Sequence, residues 1–172
     1  AVKEEIGFKD ATLYLNVSAH TIMHPEFCSI FTDFVEKHQL SPNQFGLEVT
    51  ETAELADINV ASESLSILKS KGIKIALDDF GAGYASLKYV RDLPIDVVKL
   101  DKHFTFNVSD ASTARLISFV SEVCEDLDLE MIGEGIETEE DKQMMLDLGC
   151  KIGQGYLMHR PDFLDSFKSK ET

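Results

Sequence analysis

Short runs of branched aliphatic residues recur along this chain, and a stretch of helical periodicity follows each of them. Leu13–Val17, Phe45–Thr50, Ile73–Leu77, Ile95–Leu100, Leu129–Gly133 and about Lys151–Leu157 read as strands. Strands this short and this apolar, each followed by a helix, predict a parallel sheet of about six β/α units.

The intervening helices carry their own signals. Over Pro25–Gln39, Phe27, Ile30, Phe31, Phe34 and Val35 fall on one apolar stripe. Over Asn59–Lys71, Leu65 and Leu68 point inward and Gly72 ends the helix. Leu87 and Val90 mark a short helix, and Ser112–Leu127 a long one with Leu116, Val120, Val123, Cys124 and Leu127 on one face. Thr138 with Asp141 resembles a capping box ahead of Met144, Met145 and Leu148, and Gly149 closes that helix. Pro161 is expected to start a last helical turn.

With 172 residues, 44% of them hydrophobic, the chain suits one domain with a real core. No apolar run approaches the ~18 residues that cross a bilayer, and no signal-peptide pattern opens it; cysteine usage points to a cytoplasmic domain, whether or not the full-length protein is membrane-anchored. A net charge of −15 repels polyanions, so no DNA or RNA polymer is expected as a partner. Cys28, Cys124 and Cys150 form no CxxC pair and read as reduced thiols, mostly in the core. At this level two architectures compete, a doubly wound open sheet and a (β/α) barrel; no GxGxxG follows the first strand to favour the former.

The chemistry lies at the strand ends. Successive strands finish on Asn16, on Glu48 and Glu51, on Asp78 and Asp79, on Lys99 and Asp101, on Glu134 and Glu137, and on Gln154. One acidic strand end is ordinarily a helix cap, but caps draw on Ser, Thr, Asp and Asn rather than Glu, Gln and Lys. In a barrel these ends converge on one rim. Glu48, Asp78, Asp79 and Glu134 would then crowd their charges, raising pKa values unless a cation relieves them. The donor set is carboxylates plus an Asn amide, without Cys or His, which favours Mg²⁺ or Mn²⁺, with Ca²⁺ as a non-productive occupant. Adjacent aspartates suit two ions a few ångströms apart, an arrangement that activates water and stabilises the leaving oxygen of a phosphodiester. Lys99 would add a cation able to stabilise charge on the phosphate. The glycines in Gly81-Ala82-Gly83-Tyr84 and Gly153-Gln154-Gly155-Tyr156 permit close approach to a ligand. His20, His24, His38, His103 and His159 show no metal-binding spacing and read as surface or structural.

Asn16-Val17-Ser18, Leu47-Glu48-Val49-Thr50-Glu51, Asp78-Asp79-Phe80-Gly81-Ala82-Gly83-Tyr84, Lys99-Leu100-Asp101, Gly133-Glu134-Gly135-Ile136-Glu137-Thr138 and Gln154-Gly155-Tyr156, with Gly149-Cys150 and Arg160-Pro161 after their fashion, resemble the ordered motifs of the EAL domain family. The resemblance covers about residues 11 to 167. It implies an α/β fold, a TIM-like (β/α) barrel, and hydrolysis of cyclic di-GMP to linear pGpG with two divalent cations, Mg²⁺ or Mn²⁺, Ca²⁺ being inhibitory. By position, Asn16, Glu48, Asp78 and Asp79 correspond to metal ligands, with Asp78 bridging. Lys99, Glu134 and Asp79 correspond to catalytic residues, and Gln154, Asp101 and Glu137 to substrate-binding ones. Glu51 resembles the residue that anchors the loop after Asp79, a loop the family links to homodimerisation.

The family pattern opens with two strands before Leu13, the second carrying a Glu-Ala-Leu whose glutamate is a metal ligand. Neither is found in residues 1–172. The expectation is one partial EAL-type domain with about six of eight β/α units, forming the C-terminal part of a larger signalling protein with an upstream sensory or GGDEF domain. The alternative is an inactive domain of the same type that binds cyclic di-GMP or another protein.

Overall fold

The computed structural model describes residues 12–50, 55–83 and 86–162. Six strands run in the order β1 (Leu13–Asn16), β2 (Phe45–Thr50), β3 (Lys74–Phe80), β4 (Val97–Leu100), β5 (Glu130–Gly133) and β6 (Ile152–Gly153). Each pairs in parallel with the next, so spatial order equals chain order. A doubly wound sheet reverses its strand order part-way, whereas a barrel wall never does. The sheet is therefore an incomplete barrel of the TIM-like kind. Among the described residues β1 and β6 each have one neighbour only.

The connecting helices are α1 (Ala19–Ile22), α2 (Phe27–Lys37), α3 (Ile58–Ser70), α4 (Ser86–Asp92), α5 (Lys102–Phe106), α6 (Ala111–Asp126) and α7 (Glu139–Asp147). Local chemistry sets where several of them begin. Asp57 accepts from the backbone N–H groups of Asn59 and Val60 ahead of α3, and Asp110 from those of Ser112 and Thr113 ahead of α6. Thr138 and Asp141 form the expected capping box of α7. Gly72 and Gly149 follow helices with φ of +95° and +92°, the left-handed conformation in which glycine meets no Cβ penalty.

Alternation along the strands separates two faces. Leu47, Val49, Ile75, Leu77, Val98, Leu100 and Met131 pack against Leu65 and Leu68 of α3, Ile117, Val120 and Cys124 of α6, and Met145 of α7. Each such Leu or Ile, fully buried, contributes roughly 1.5–3 kcal/mol relative to exposure. Glu48, Asp78 and Lys99 occupy the opposite face, joined by ion pairs. Lower on that face Lys74 pairs with Glu130 at 2.8 Å. The ring of Tyr14 crosses Gly46 so closely that a Cβ there would lie 2.3 Å from it.

Several expectations shift. The stripe of α6 is rotated: Ile117, Val120 and Cys124 are buried, while Leu116 and Leu127 are about half exposed. In α2, Val35 is buried with Phe27 and Phe31 against the core, but Ile30 and Phe34 face outward. β3 runs on through the double aspartate rather than ending at Leu77, and β6 has two residues instead of about seven. Helix α5 was not foreseen. The turn expected from Pro161 extends beyond the described residues.

Candidate active site

The double aspartate depends on an irregularity of β3. Leu77 pairs with Val98 and Phe80 with Leu100, so Asp78 and Asp79 together span the single residue Lys99. Two residues opposite one is a bulge. Within it Asp79 takes φ +56°, a left-handed conformation that Asp tolerates better than most residues. A regular strand would send consecutive side chains to opposite faces. The bulge instead brings carboxylate oxygens of Asp78, Asp79 and Glu134 within 4.8 Å of one another.

Lys99 ties the group together. Its Nζ lies 2.8 Å from Asp78 Oδ1, 2.8 Å from Glu134 Oε1 and 2.9 Å from Glu48 Oε1. One ammonium thus links the ends of β2, β3 and β5, and its side chain is only 6% exposed. Burial by itself would depress its pKa. The hydrogen bonds to Asp78, Glu134 and Glu48 outweigh burial and raise it, so Lys99 stays charged.

Asp79 and Glu134 carry the raised pKa values that crowding at the strand ends predicts. Burial pushes the pKa of Asp79 up, and the charges of Asp78 and Asp101 push the same way. Glu134 is likewise raised, by burial first, with Lys99 opposing and Asp78 and Asp79 reinforcing. A single lysine does not neutralise four acids. An all-oxygen, anionic donor set this compact fits a hard divalent cation. Asp78, Asp79 and Glu134 are the residues placed to hold one.

The remaining residues expected at the site are arranged less tightly. Asn16 ends β1 directly beside Glu48 in the register and is exposed. Asp101 is 7% exposed and serves as the N-cap of α5, accepting the His103 N–H at 2.8 Å; the His103 ring also bonds it. Gln154 is exposed, with its backbone tied to Gly133 and Ile136. Glu137 is exposed, and its N–H donates to Asp141 beside the α7 cap. Glu51 and Tyr84 lie outside the described residues.

The EAL domain model matches residues 2–161. The chain belongs to the EAL domain family. Among curated relatives of this EAL domain, the bifunctional diguanylate cyclase/cyclic di-GMP phosphodiesterase MucR of Pseudomonas aeruginosa is 33% identical over 156 residues, covering 90% of this chain and 23% of that protein. The cyclic di-GMP phosphodiesterase PdeA of Borreliella burgdorferi is 33% identical over 150 residues, covering 86% and 22%. The chain thus spans about a quarter or less of the length of such relatives. The EAL enzyme Bd1971, solved with cAMP and cyclic di-GMP, superposes with a TM-score of 0.89 at 30% identity, over 96% of this chain and 46% of that one. Klebsiella pneumoniae BlrP1, solved with manganese and cyclic di-GMP, gives 0.82 at 27% identity, over 91% and 40%.

What sequence reasoning missed in this EAL domain is α5 and the contacts it makes. Phe104 lies against Gly81, where a Cβ would stand 2.2 Å from its ring. Thr105 donates its hydroxyl to the Glu134 carbonyl. The available signal was Asp101 itself, a capping residue directly after a strand.

Proposed function

We propose that this chain carries the catalytic rim of a divalent-metal-dependent phosphodiesterase that hydrolyses cyclic di-GMP to linear pGpG. The observation that carries this reading is the convergence of Asp78, Asp79 and Glu134 oxygens within 4.8 Å, with Lys99 between them and Glu48. The named activities of MucR and PdeA, and the cyclic di-GMP in the Bd1971 and BlrP1 structures, support it.

In this reading Glu48, Asp78, Asp79 and Asn16 would hold two divalent cations, Mg²⁺ or Mn²⁺, with Glu134 beside them. Bound ions would supply Lewis acidity toward the phosphodiester and its attacking water. Lys99, kept protonated by its three carboxylate partners, sets a positive charge beside the phosphodiester and offsets charge gathering there. Asp101, Glu137 and Gln154 are proposed to contact the dinucleotide. Ca²⁺, present in another BlrP1 complex, is proposed to bind without supporting turnover.

The domain is proposed to act as part of a longer signalling protein with an upstream sensory or GGDEF domain, and to pair with a second copy through the loop after Asp79. No described helix is long and apolar enough to cross a membrane, and a cytoplasmic location is proposed. The test is cyclic di-GMP turnover with Mn²⁺, run on this chain and on a version extended upstream. Cleavage by the extended form supports the reading. Binding without cleavage in both forms would make the domain a receptor, and neither binding nor cleavage in either form would end the proposal.

A further inference from the structure

Thr105 is 1% exposed, one of the few buried polar residues among those described. It lies within α5, where a threonine hydroxyl ordinarily bonds back to the carbonyl four residues earlier. Here the hydroxyl instead crosses 29 residues of sequence to the backbone carbonyl of Glu134.

That carbonyl is where the sheet stops holding the chain. The Glu134 N–H donates to Leu100 on β4 at 3.2 Å. On the other side, Gln154 donates to the Gly133 carbonyl and Ile136 donates to the Gln154 carbonyl, so β6 is served by residues flanking Glu134, while the Glu134 carbonyl, on the same side as its own N–H, meets the Thr105 hydroxyl. Lys102 of α5 presses on the same segment, since a Cβ at Gly135 would lie 2.7 Å from Lys102 Cβ. Gly135 has φ +72°, so the chain turns sharply just after Glu134. The Glu134 side chain, meanwhile, must meet Lys99 at 2.8 Å and share a cluster with Asp78 and Asp79.

We propose that Thr105 is a positioning residue: its hydroxyl fixes the backbone of Glu134 at the end of β5 and so aims that carboxylate at Lys99 and the cation site. The effect on metal affinity rests on the function proposed above; the effect on the Glu134 backbone does not. A partner that orients a ligand residue typically changes metal affinity by 10–100-fold when lost. Because the bond goes to main chain, the carboxylate keeps all of its own lone pairs for Lys99 and a cation.

The test compares Thr105→Val, which keeps the shape and removes the hydroxyl, with Thr105→Ser, which keeps the hydroxyl. Hydrogen exchange of the peptide covering residues 132–136 is followed in EDTA, and Mn²⁺ binding by calorimetry. The expected result for Thr105→Val is exchange roughly five-fold faster in that peptide alone, as befits one hydrogen bond of ordinary strength. Its Mn²⁺ binding should be about ten-fold weaker. Thr105→Ser should match the unmodified chain in both. Unchanged exchange in Thr105→Val, or equally fast exchange in Thr105→Ser, overturns the proposal. Failure of the unmodified chain to bind Mn²⁺ would count against the metal reading of the site, while the exchange data would still decide the role of Thr105.

Discussion

Asp78 and Asp79 share one rim because Asp79 adopts φ +56° inside the bulge of β3, opposite Lys99. Backbone and charge therefore place separate demands on position 79, and substitutions can separate them. Asp79→Asn keeps a residue that tolerates the left-handed region and removes the charge. It should fold normally and abolish cyclic di-GMP turnover in the upstream-extended form. Asp79→Val should also unfold more easily, by about 1–2 kcal/mol, because a β-branched residue is strained there. Thermal melts of the two variants check this; equal stability would remove the backbone argument, and retained turnover in Asp79→Asn would remove the metal argument.

Lys99 is the cation shared by Glu48, Asp78 and Glu134. Lys99→Met leaves three partly buried carboxylates facing one another. Removing one member of a buried ion network typically costs about 3 kcal/mol or more. The metal-free variant should lose about that much in urea titrations, and Mn²⁺ should restore more stability to it than to the unmodified chain. A variant with an unchanged midpoint in EDTA would mean that the three contacts carry little energy.

The pKa shifts act in different pH windows. Asp79 binds its proton more tightly in the folded chain than its usual 3.8. Protonation therefore favours the native state, a contribution fully present below about pH 4 and lost as the pH rises through the raised folded value. Lys99 is raised above 10.5, so its contribution is complete below that value and disappears only beyond it. Asp79→Asn has no proton to lose at this position. In EDTA its stability relative to the unmodified chain should therefore climb as the pH rises above about 4, through the raised folded value of Asp79, with no contribution from Lys99. With saturating Mn²⁺ the trend should vanish or reverse. A pH-independent difference in EDTA would show that Asp79 feels no crowding.

The sequence carried the strand ends well because they obey a local rule: a polar residue directly after a short apolar run. Glu48, Asp78, Lys99 and Glu134 follow it, and all four meet in space. The spatial order of the strands was not legible from the aliphatic runs, which suit a doubly wound sheet equally; the family motifs supplied the barrel. Helical stripes were less secure. In α6 both Leu116 and Ile117 are apolar, and only packing selected Ile117 for the core. The bulge at Asp79 and the five-residue helix α5 depend on contacts between distant segments. Phe104 on Gly81 and Thr105 on Glu134 leave no periodic trace in the chain.

Two glycines near the rim differ in what a side chain would strike. At Gly81 an added Cβ meets the ring of Phe104 at 2.2 Å, and φ is +98°. At Gly155 it meets main chain, the Ile136 O at 2.1 Å and N at 2.4 Å. A ring can turn aside, but the Ile136 backbone is held by the N–H bond to Gln154 O at 3.1 Å and accepts from Leu157 at 3.1 Å. Gly81→Ala should cost about 1–2 kcal/mol from its backbone conformation, with more from the ring. Adding Phe104→Leu should recover only the second part. Gly155→Ala should cost more than Gly81→Ala, because the Gln154 segment must separate from β5 and take two hydrogen bonds with it. Thermal unfolding of the three variants orders them. If Gly155→Ala proves the milder change, the close approach of Gly155 to Ile136 is not what holds β6 beside Glu134.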